Sequence, residues 1–313
     1  MEIALITGRQ CIIMLALMAV GFTAFKLNVL DKNSSAQISN FLMSIVVPCL
    51  IISSLQQEYT RETLGGYLLA LAIAIAAHII GIAVAYLVLR NRENSLDINI
   101  ARFATIYSNA GFIAFPVVAA IFGSEGIFYA SAYVVVYNVL SWTQGVALFS
   151  GGWRRVSFKK AFLNPGVIGV AIGLFLFFTQ IKLPSLVLDI VNYVSSLNTP
   201  LAMITTGTFL AQVSFGETVR DKRTYLIALL RLICIPLIVL GLCKLLGLFT
   251  ITPSARFIIG TVMVASAAPT AVATSLLPSK YGLDGRYGSR IVVLTTLLSM
   301  ATLPLIMFLY ALC

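Results

Sequence analysis

Ten stretches of this chain run for about 20 residues each with almost no charge, and few folds accommodate such runs. A helix needs about that length to cross the roughly 30 Å hydrocarbon core of a bilayer. The runs fall at roughly 7–25, 34–55, 65–90, 102–122, 125–149, 161–179, 185–212, 224–246, 255–277 and 286–311. Lipid offers backbone groups no partners, so spanning segments are helices or closed barrels. Barrel strands alternate polar and apolar residues in blocks of about ten. These runs are twice that length and apolar all round. The sequence therefore predicts an all-α integral membrane protein with ten transmembrane helices. Charged residues make up only 10% of the chain and hydrophobic ones 59%, against about a quarter charged in an ordinary soluble domain.

The connections are short and polar, and no soluble domain interrupts them. Their basic residues set an expected orientation, because Lys and Arg favour cytoplasmic loops. With the N-terminus outside, the cytoplasmic side carries Lys26, Lys32, Arg90, Arg92, Arg102, Arg154, Arg155, Lys159, Lys160, Arg220, Lys222, Arg223, Lys280, Arg286 and Arg290. The outer side carries Arg9, Arg61, Lys182, Lys244 and Arg256, and Arg231 falls inside a run. Fifteen against five places both termini outside. The first apolar run has no basic stretch ahead of it and no clear cleavage site, so it reads as a spanning helix and not as a signal peptide.

The chain also repeats itself. Residues 21–27 (GFTAFKL) read against 177–183 (FFTQIKL), 44–53 (SIVVPCLIIS) against 196–205 (SLNTPLAMIT), and 67–71 (YLLAL) against 225–229 (YLIAL). Residues 122–126 (FGSEG) read more loosely against 281–285 (YGLDG). Pro116 and Pro269, each inside an apolar run, are 153 residues apart, and the other pairs are 152 to 159 apart. Such a fixed long period is the mark of duplication. The expected units are 1–150 and 151–313. Five spans in each make the second unit inverted relative to the first, so that runs four and nine are antiparallel.

Arg102 stands 14 residues before Pro116 and Arg256 stands 13 before Pro269, so each reads as the start of a helix that its proline breaks. An interior proline removes a hydrogen bond and crowds the preceding turn. In a membrane such a break survives where it faces protein or a water-filled cavity. Small and polar residues flank both: Ser108, Asn109, Ala110 and Gly111 before Pro116, and Ser266 to Thr270 around Pro269. They allow two broken helices to cross closely. Half-helices starting near Pro116 and Pro269 then point their N-terminal ends, each with about half a positive charge and free N–H groups, at the membrane midplane. Paired broken helices in two halves are the mark of a secondary transporter, and their N-terminal ends favour an anionic substrate. The alternative is that both prolines are packing kinks.

The candidate site comprises Ser108, Asn109, Gly111, Pro116, Pro269, Thr270 and Gln144. Asn109 offers two amide donors to a substrate carboxylate, or else a helix–helix hydrogen bond. Gln144 and Tyr137 face the middle of run five, where they line a cavity or bond within the bundle. His78, the only histidine, suits proton coupling by its ordinary pKa, or is a neutral imidazole bonded to its neighbours. Arg231, about two turns inside run eight, attracts the anion, snorkels to the headgroups or pairs structurally. No Asp or Glu stands at an expected midplane: Glu58 and Asp189 are near outer ends and Glu125 is in a connection. A coupling cation would have to be held by neutral groups such as Ser53, Ser54, Thr205 or Thr206.

Other classes fit poorly. Cys11, Cys49, Cys234, Cys243 and Cys313 are scattered through apolar runs, with neither a CxxC pair nor metal-ligand spacing, so no metal site or cofactor is expected. The basic residues form no single patch, so the net charge of +10 does not indicate a nucleic-acid partner. There is no HExxH, no GxSxG and no P-loop, and His78 has no carboxylate at its depth. Neither an enzyme nor an ATP-driven pump is expected.

The stretch 109–116 (NAGFIAFP) resembles the signature of the auxin efflux carrier family, the plant PIN carriers and their bacterial relatives. Ala267-Ala268-Pro269, followed by Lys280-Tyr281-Gly282, is similar to its ninth-helix counterpart. Asn164-Pro165 and residues 200–207 also fit bacterial members. The likeness covers the whole chain except the long central loop of plant members, where only about 151–161 stands. It implies an inverted five-plus-five repeat related to sodium/proton antiporters and bile-acid symporters. It also implies a scaffold of runs 1, 2, 6 and 7 and a transport domain of runs 3–5 and 8–10 that moves as an elevator. A homodimer in the cell membrane and organic-anion substrates follow from it too, auxin-like or small carboxylates such as malate and malonate. A sodium- or proton-coupled symporter or antiporter, with a cation as main substrate, is the alternative within the same architecture.

Overall fold

The computed structural model describes residues 2–90, 96–156, 159 and 162–313. Arg92, Lys160 and Ala161, used above for orientation and for the sixth run, lie outside the described residues. The chain is nearly all helix: α1 (Glu2–Lys26), α2 (Lys32–Ser54), α3 (Arg61–Val88), α4 (Leu96–Ile106), α5 (Ala110–Ser150), α6 (Pro165–Thr179), α7 (Ser185–Ser196), α8 (Asn198–Ala211), α9 (Phe215–Arg220), α10 (Lys222–Leu245), α11 (Ala255–Ala267), α12 (Ala273–Lys280) and α13 (Arg286–Ala311). Six of these, α1, α2, α3, α5, α10 and α13, are long and apolar enough to cross a membrane, and α6 and α11 are shorter apolar helices.

Local chemistry sets the ends. Asp31 and Thr60 cap α2 and α3 through reciprocal capping boxes with Ser34 and Thr63, the arrangement that satisfies N–H groups left over in a first turn. Asn164 caps α6 ahead of Pro165, which needs no N–H there. α5 is bent at Gly123, where φ is +65° and ψ is −160°. Only glycine adopts such a conformation without strain. Glu125, expected in a connection, falls in the helix two residues past this bend.

Proline shapes the long helices in a consistent way. Wide, five-residue π turns occupy Leu42–Val46, Ala110–Ala114 and Leu230–Cys234. Each ends two residues ahead of a proline: Pro48, Pro116 and Pro236. A proline ring crowds the carbonyl four residues back and donates nothing to it. A widened turn relieves both problems without ending the helix. A fourth π turn, Ser141–Gly145, has no proline behind it.

Packing is close where side chains are absent. A Cβ built on Gly21 of α1 would stand 1.9 Å from the Ile204 carbonyl oxygen of α8, and one on Gly207 of α8 would stand 2.0 Å from that of Met18. Backbone thus meets backbone between α1 and α8. The burial pattern departs from that of a soluble protein at the surface and not in the core. Every residue from Ile100 to Ile106 and from Ile258 to Ala267 is buried, while Leu5, Ile12, Phe175, Tyr193 and Leu245 face outward. An apolar coat of this extent marks a surface that meets something other than water.

Candidate functional site

α4 and α11 both end in the middle of the molecule, and the chain beyond each is extended. Those two extended stretches pair as a minimal antiparallel ladder. Asn109 donates its N–H to the Pro269 carbonyl at 2.7 Å, Ala271 donates to the Tyr107 carbonyl at 3.0 Å, and Ser108 stands opposite Thr270. Each break thereby satisfies groups that the other leaves free, which lipid could not do. Side chains fasten the crossing. Thr270 donates its hydroxyl to the Ala104 carbonyl at 3.0 Å, and its own N–H goes to Thr295 Oγ1 of α13 at 3.3 Å.

Two expectations about the breaks need correction. Pro116 does not break the helix. The interruption is Tyr107–Asn109, and the second half-helix starts at Ala110, with Asn109 Oδ1 accepting from the Phe112 N–H at 3.3 Å as its cap. Pro116 lies inside regular α5, where its consequence is the π turn before it. Pro269 does lie in its break, so the two prolines are not at equivalent places. Nor does Arg102 start its helix, since α4 begins at Leu96. Arg102 is buried and donates to the Leu89 carbonyl at the end of α3 from Nε and Nη2, at 3.2 and 3.0 Å, with its guanidinium over the Tyr86 ring.

Arg231 is 1% exposed and does not reach the headgroups. It sits in the π turn of α10 and donates to both breaks: Nη1 to the Thr105 and Ile106 carbonyls at 3.3 and 3.2 Å, Nε to the Ala268 carbonyl at 3.2 Å, and Nη2 to the Ser266 carbonyl. These carbonyls are at the C-terminal ends of α4 and α11, each carrying about half a negative charge. One guanidinium, with donors in a rigid fork, answers both. The N-terminal ends of α5 and α12 keep their positive partial charge.

The remaining candidates divide. Ser108 donates to the Tyr133 hydroxyl at 3.2 Å. Asn109 Nδ2 is buried without an acceptor among the described residues, and so is Ser266 Oγ without a partner. Gly111 is half-buried, and a Cβ there would meet nothing within 4 Å. Gln144 is bonded to a residue of the first break, Tyr107, whose hydroxyl donates to its Oε1 at 2.5 Å, and its Nε2 reaches the Tyr86 hydroxyl at 3.4 Å. His78 Nδ1 is 2.8 Å from the Ala74 carbonyl, its ring lies 4.7 Å from that of Tyr133, and its Nε2 has no partner among the described residues. Of the neutral groups considered for a cation, Ser54 and Thr206 donate to helical carbonyls and Ser53 to Asn192.

A cavity of about 640 Å³ opens between the end of α8, α9, α12 and the start of α13. Lys32 at the start of α2, Asp97 in the first turn of α4 and Asp284 ahead of α13 also line it. Val272, within the second break, is among its lining, but none of the candidate site residues is. Arg286 at the rim is bound to Asp284 in a short ion pair (2.8 Å) that holds this carboxyl below its ordinary pKa of 3.8. Thr295, which anchors the second break, escaped the sequence reading, and Arg290 in the cavity wall entered it only as a basic residue that sets orientation. Both lie in the last apolar run, where neither a threonine nor a basic residue near a helix end stands out.

The family model described as membrane transport protein matches residues 9–156 and 152–307. An uncharacterized transporter of Methanothermobacter thermautotrophicus is 29% identical over 300 residues, covering 93% of this chain and 94% of the relative. An uncharacterized transporter of Methanocaldococcus jannaschii is 24% identical over 306 residues, covering 94% of this chain and 96% of the relative. Together with the apolar helices these matches make the chain a multi-pass membrane transport protein, and it belongs to the auxin efflux carrier family.

Proposed function

We propose that the chain is a secondary transporter of small organic anions, auxin-like or simple carboxylates, that binds its substrate where the fourth and ninth apolar runs cross. The observation that carries this reading is the buried Asn109 Nδ2, an amide donor left without an acceptor in the middle of the molecule. An unmet buried donor costs about 1–3 kcal/mol, and a carboxylate at the crossing removes that cost. Arg231 supports the same sign of substrate. It neutralises the negative ends of α4 and α11 and leaves the positive ends of α5 and α12 to face an anion.

The ten-span inverted repeat is part of the proposal. The bend at Gly123 supports reading α5 as two spans, and φ at Gly282 is also positive, in keeping with the pairing of 122–126 with 281–285. The scaffold of runs 1, 2, 6 and 7 draws support from the close α1–α8 contact and from α6 against α2, where Gly169 faces Pro48. Runs 3–5 and 8–10 then form the moving part of an elevator, with both termini outside the cell membrane. The 640 Å³ cavity, among the basic connections, is its cytoplasmic opening. A homodimer draws support from α7, where no residue is buried and Leu186, Ile190 and Tyr193 form an exposed stripe.

The test is ligand-induced thermal stabilisation of the purified full chain with malate, malonate and indole-3-acetate, with and without sodium. A ligand that binds the native state raises its apparent stability by mass action. We expect a carboxylate shift in the wild type that Asn109→Ala abolishes. A sodium or pH effect without any carboxylate shift overturns the reading in favour of a cation substrate.

A further inference from the structure

We propose that Arg290 is the residue that first takes the substrate's carboxylate, in the cavity, before the anion reaches the crossing. This rests on the organic-anion reading and adds the residue that selects for negative charge. Arg290 lies on α13 in the cavity wall, five residues before Thr295, whose hydroxyl oxygen accepts from the Thr270 N–H at the break. A volume of 640 Å³ is in the range of small-molecule sites, so the cavity admits such an anion whole.

Several of the other polar groups of the wall are engaged, while Lys32 is a further cation in the lining. Arg286 makes its short pair with Asp284. Ser275 and Ser289 donate their hydroxyls to the Val272 and Gly285 carbonyls at 2.9 and 3.3 Å, and Gln212 gives its amide to the Thr208 carbonyl at 3.1 Å. Arg290 differs. Its Nε is buried with no acceptor among the described residues. Its Nη atoms stand 3.8 Å from Glu217 and 4.0 Å from Asp221, well beyond the 2.7–2.9 Å of a charge-assisted hydrogen bond. Asp221 is already engaged in capping α10, accepting from the Arg223 N–H at 3.0 Å. The Glu217 side chain is 71% exposed, a counter-ion that gives way easily. The guanidinium lies over the Tyr287 ring, 5.6 Å from its centre, which steadies it while leaving its donors free. This is a fork with unmade bonds, held loosely by carboxylates, and a substrate carboxylate fits the same geometry bidentately.

The experiment measures the Kd of malonate for the purified full chain at low and high salt, in the wild type and in Arg290→Gln, Arg290→Lys, Glu217→Gln and Asn109→Ser. The proposal expects Arg290→Gln to weaken malonate at least tenfold and to flatten its salt dependence. Arg290→Lys should be intermediate. Glu217→Gln, which removes the competing carboxylate, should strengthen malonate. Equal affinity in wild type and Arg290→Gln, with loss in Asn109→Ser, overturns the role of Arg290 alone. If Glu217→Gln weakens binding as Arg290→Gln does, the pair is a structural latch and the proposal is likewise overturned. If none of malonate, malate and indole-3-acetate binds the wild type, the organic-anion reading falls and takes this one with it.

Discussion

Asn109 has two jobs at the crossing that substitution can separate. Its oxygen caps the first turn of α5 and its amide nitrogen is unmet. Serine keeps a capping oxygen and alanine does not, a difference of about 1 kcal/mol. Asn109→Ser should therefore unfold near the wild-type temperature, with Asn109→Ala slightly lower. Both should lose carboxylate affinity by about tenfold, the 1.4 kcal/mol of one good hydrogen bond; retained affinity in the serine variant would sink the assignment. Arg231 answers a different question. Arg231→Met strips four carbonyl groups of their donor and should be destabilising, each unmet buried acceptor costing about 1–3 kcal/mol. Arg231→Lys, a point charge on a flexible stem, should recover part of that in a detergent melting experiment. That Asn109 and Arg231 mattered was legible in the sequence, because polar side chains stand out in apolar runs. What Arg231 binds was not, since two of its partners, Thr105 and Ile106, lie more than a hundred residues away.

At the scale of helices, the sequence marks the apolar runs and the second interruption, at Pro269, and misplaces the first. The observed α2, α3, α10 and α13 differ from the expected runs by four residues or fewer at either end. The first break was assigned to Pro116, because proline is the residue most visible as a breaker. A helix can absorb a proline by widening one turn, as α2, α5 and α10 all do. The true interruption is decided by pairing with a second extended stretch, which no local signal at Tyr107 or Ser108 announces. It follows that Pro116→Ala should leave the crossing intact and change stability by less than about 1 kcal/mol, the effect of a tolerated backbone change; a large loss in the melting curve would return the break to that proline. Gly207→Leu should behave in the opposite way. Its Cβ would stand 2.0 Å from the Met18 carbonyl oxygen, so α1 and α8 must separate. Overpacking of that kind costs about 1–3 kcal/mol or more, and expression and melting temperature should both fall.

For the molecule as a whole, the apolar coat marks surfaces that meet something other than water. If the stripe on α7 pairs two chains, Tyr193→Cys in a background without the native cysteines should form a disulfide-linked dimer in membranes on mild oxidation. Ile12→Cys, on an equally exposed part of α1, should not. A monomer from both would remove the dimer. The pattern of residues gave architecture more readily than contacts, because burial in a membrane is written in composition and pairing is not. Arg231 has a further consequence, best put as a count of degrees of freedom. Two interrupted helices crossing through two backbone bonds would by themselves form a hinge, able to shear. A third helix that grips both loose ends with a single planar group turns that hinge into a truss. On the proposed elevator reading, the crossing that would cradle the substrate then keeps its shape while the surrounding helices move.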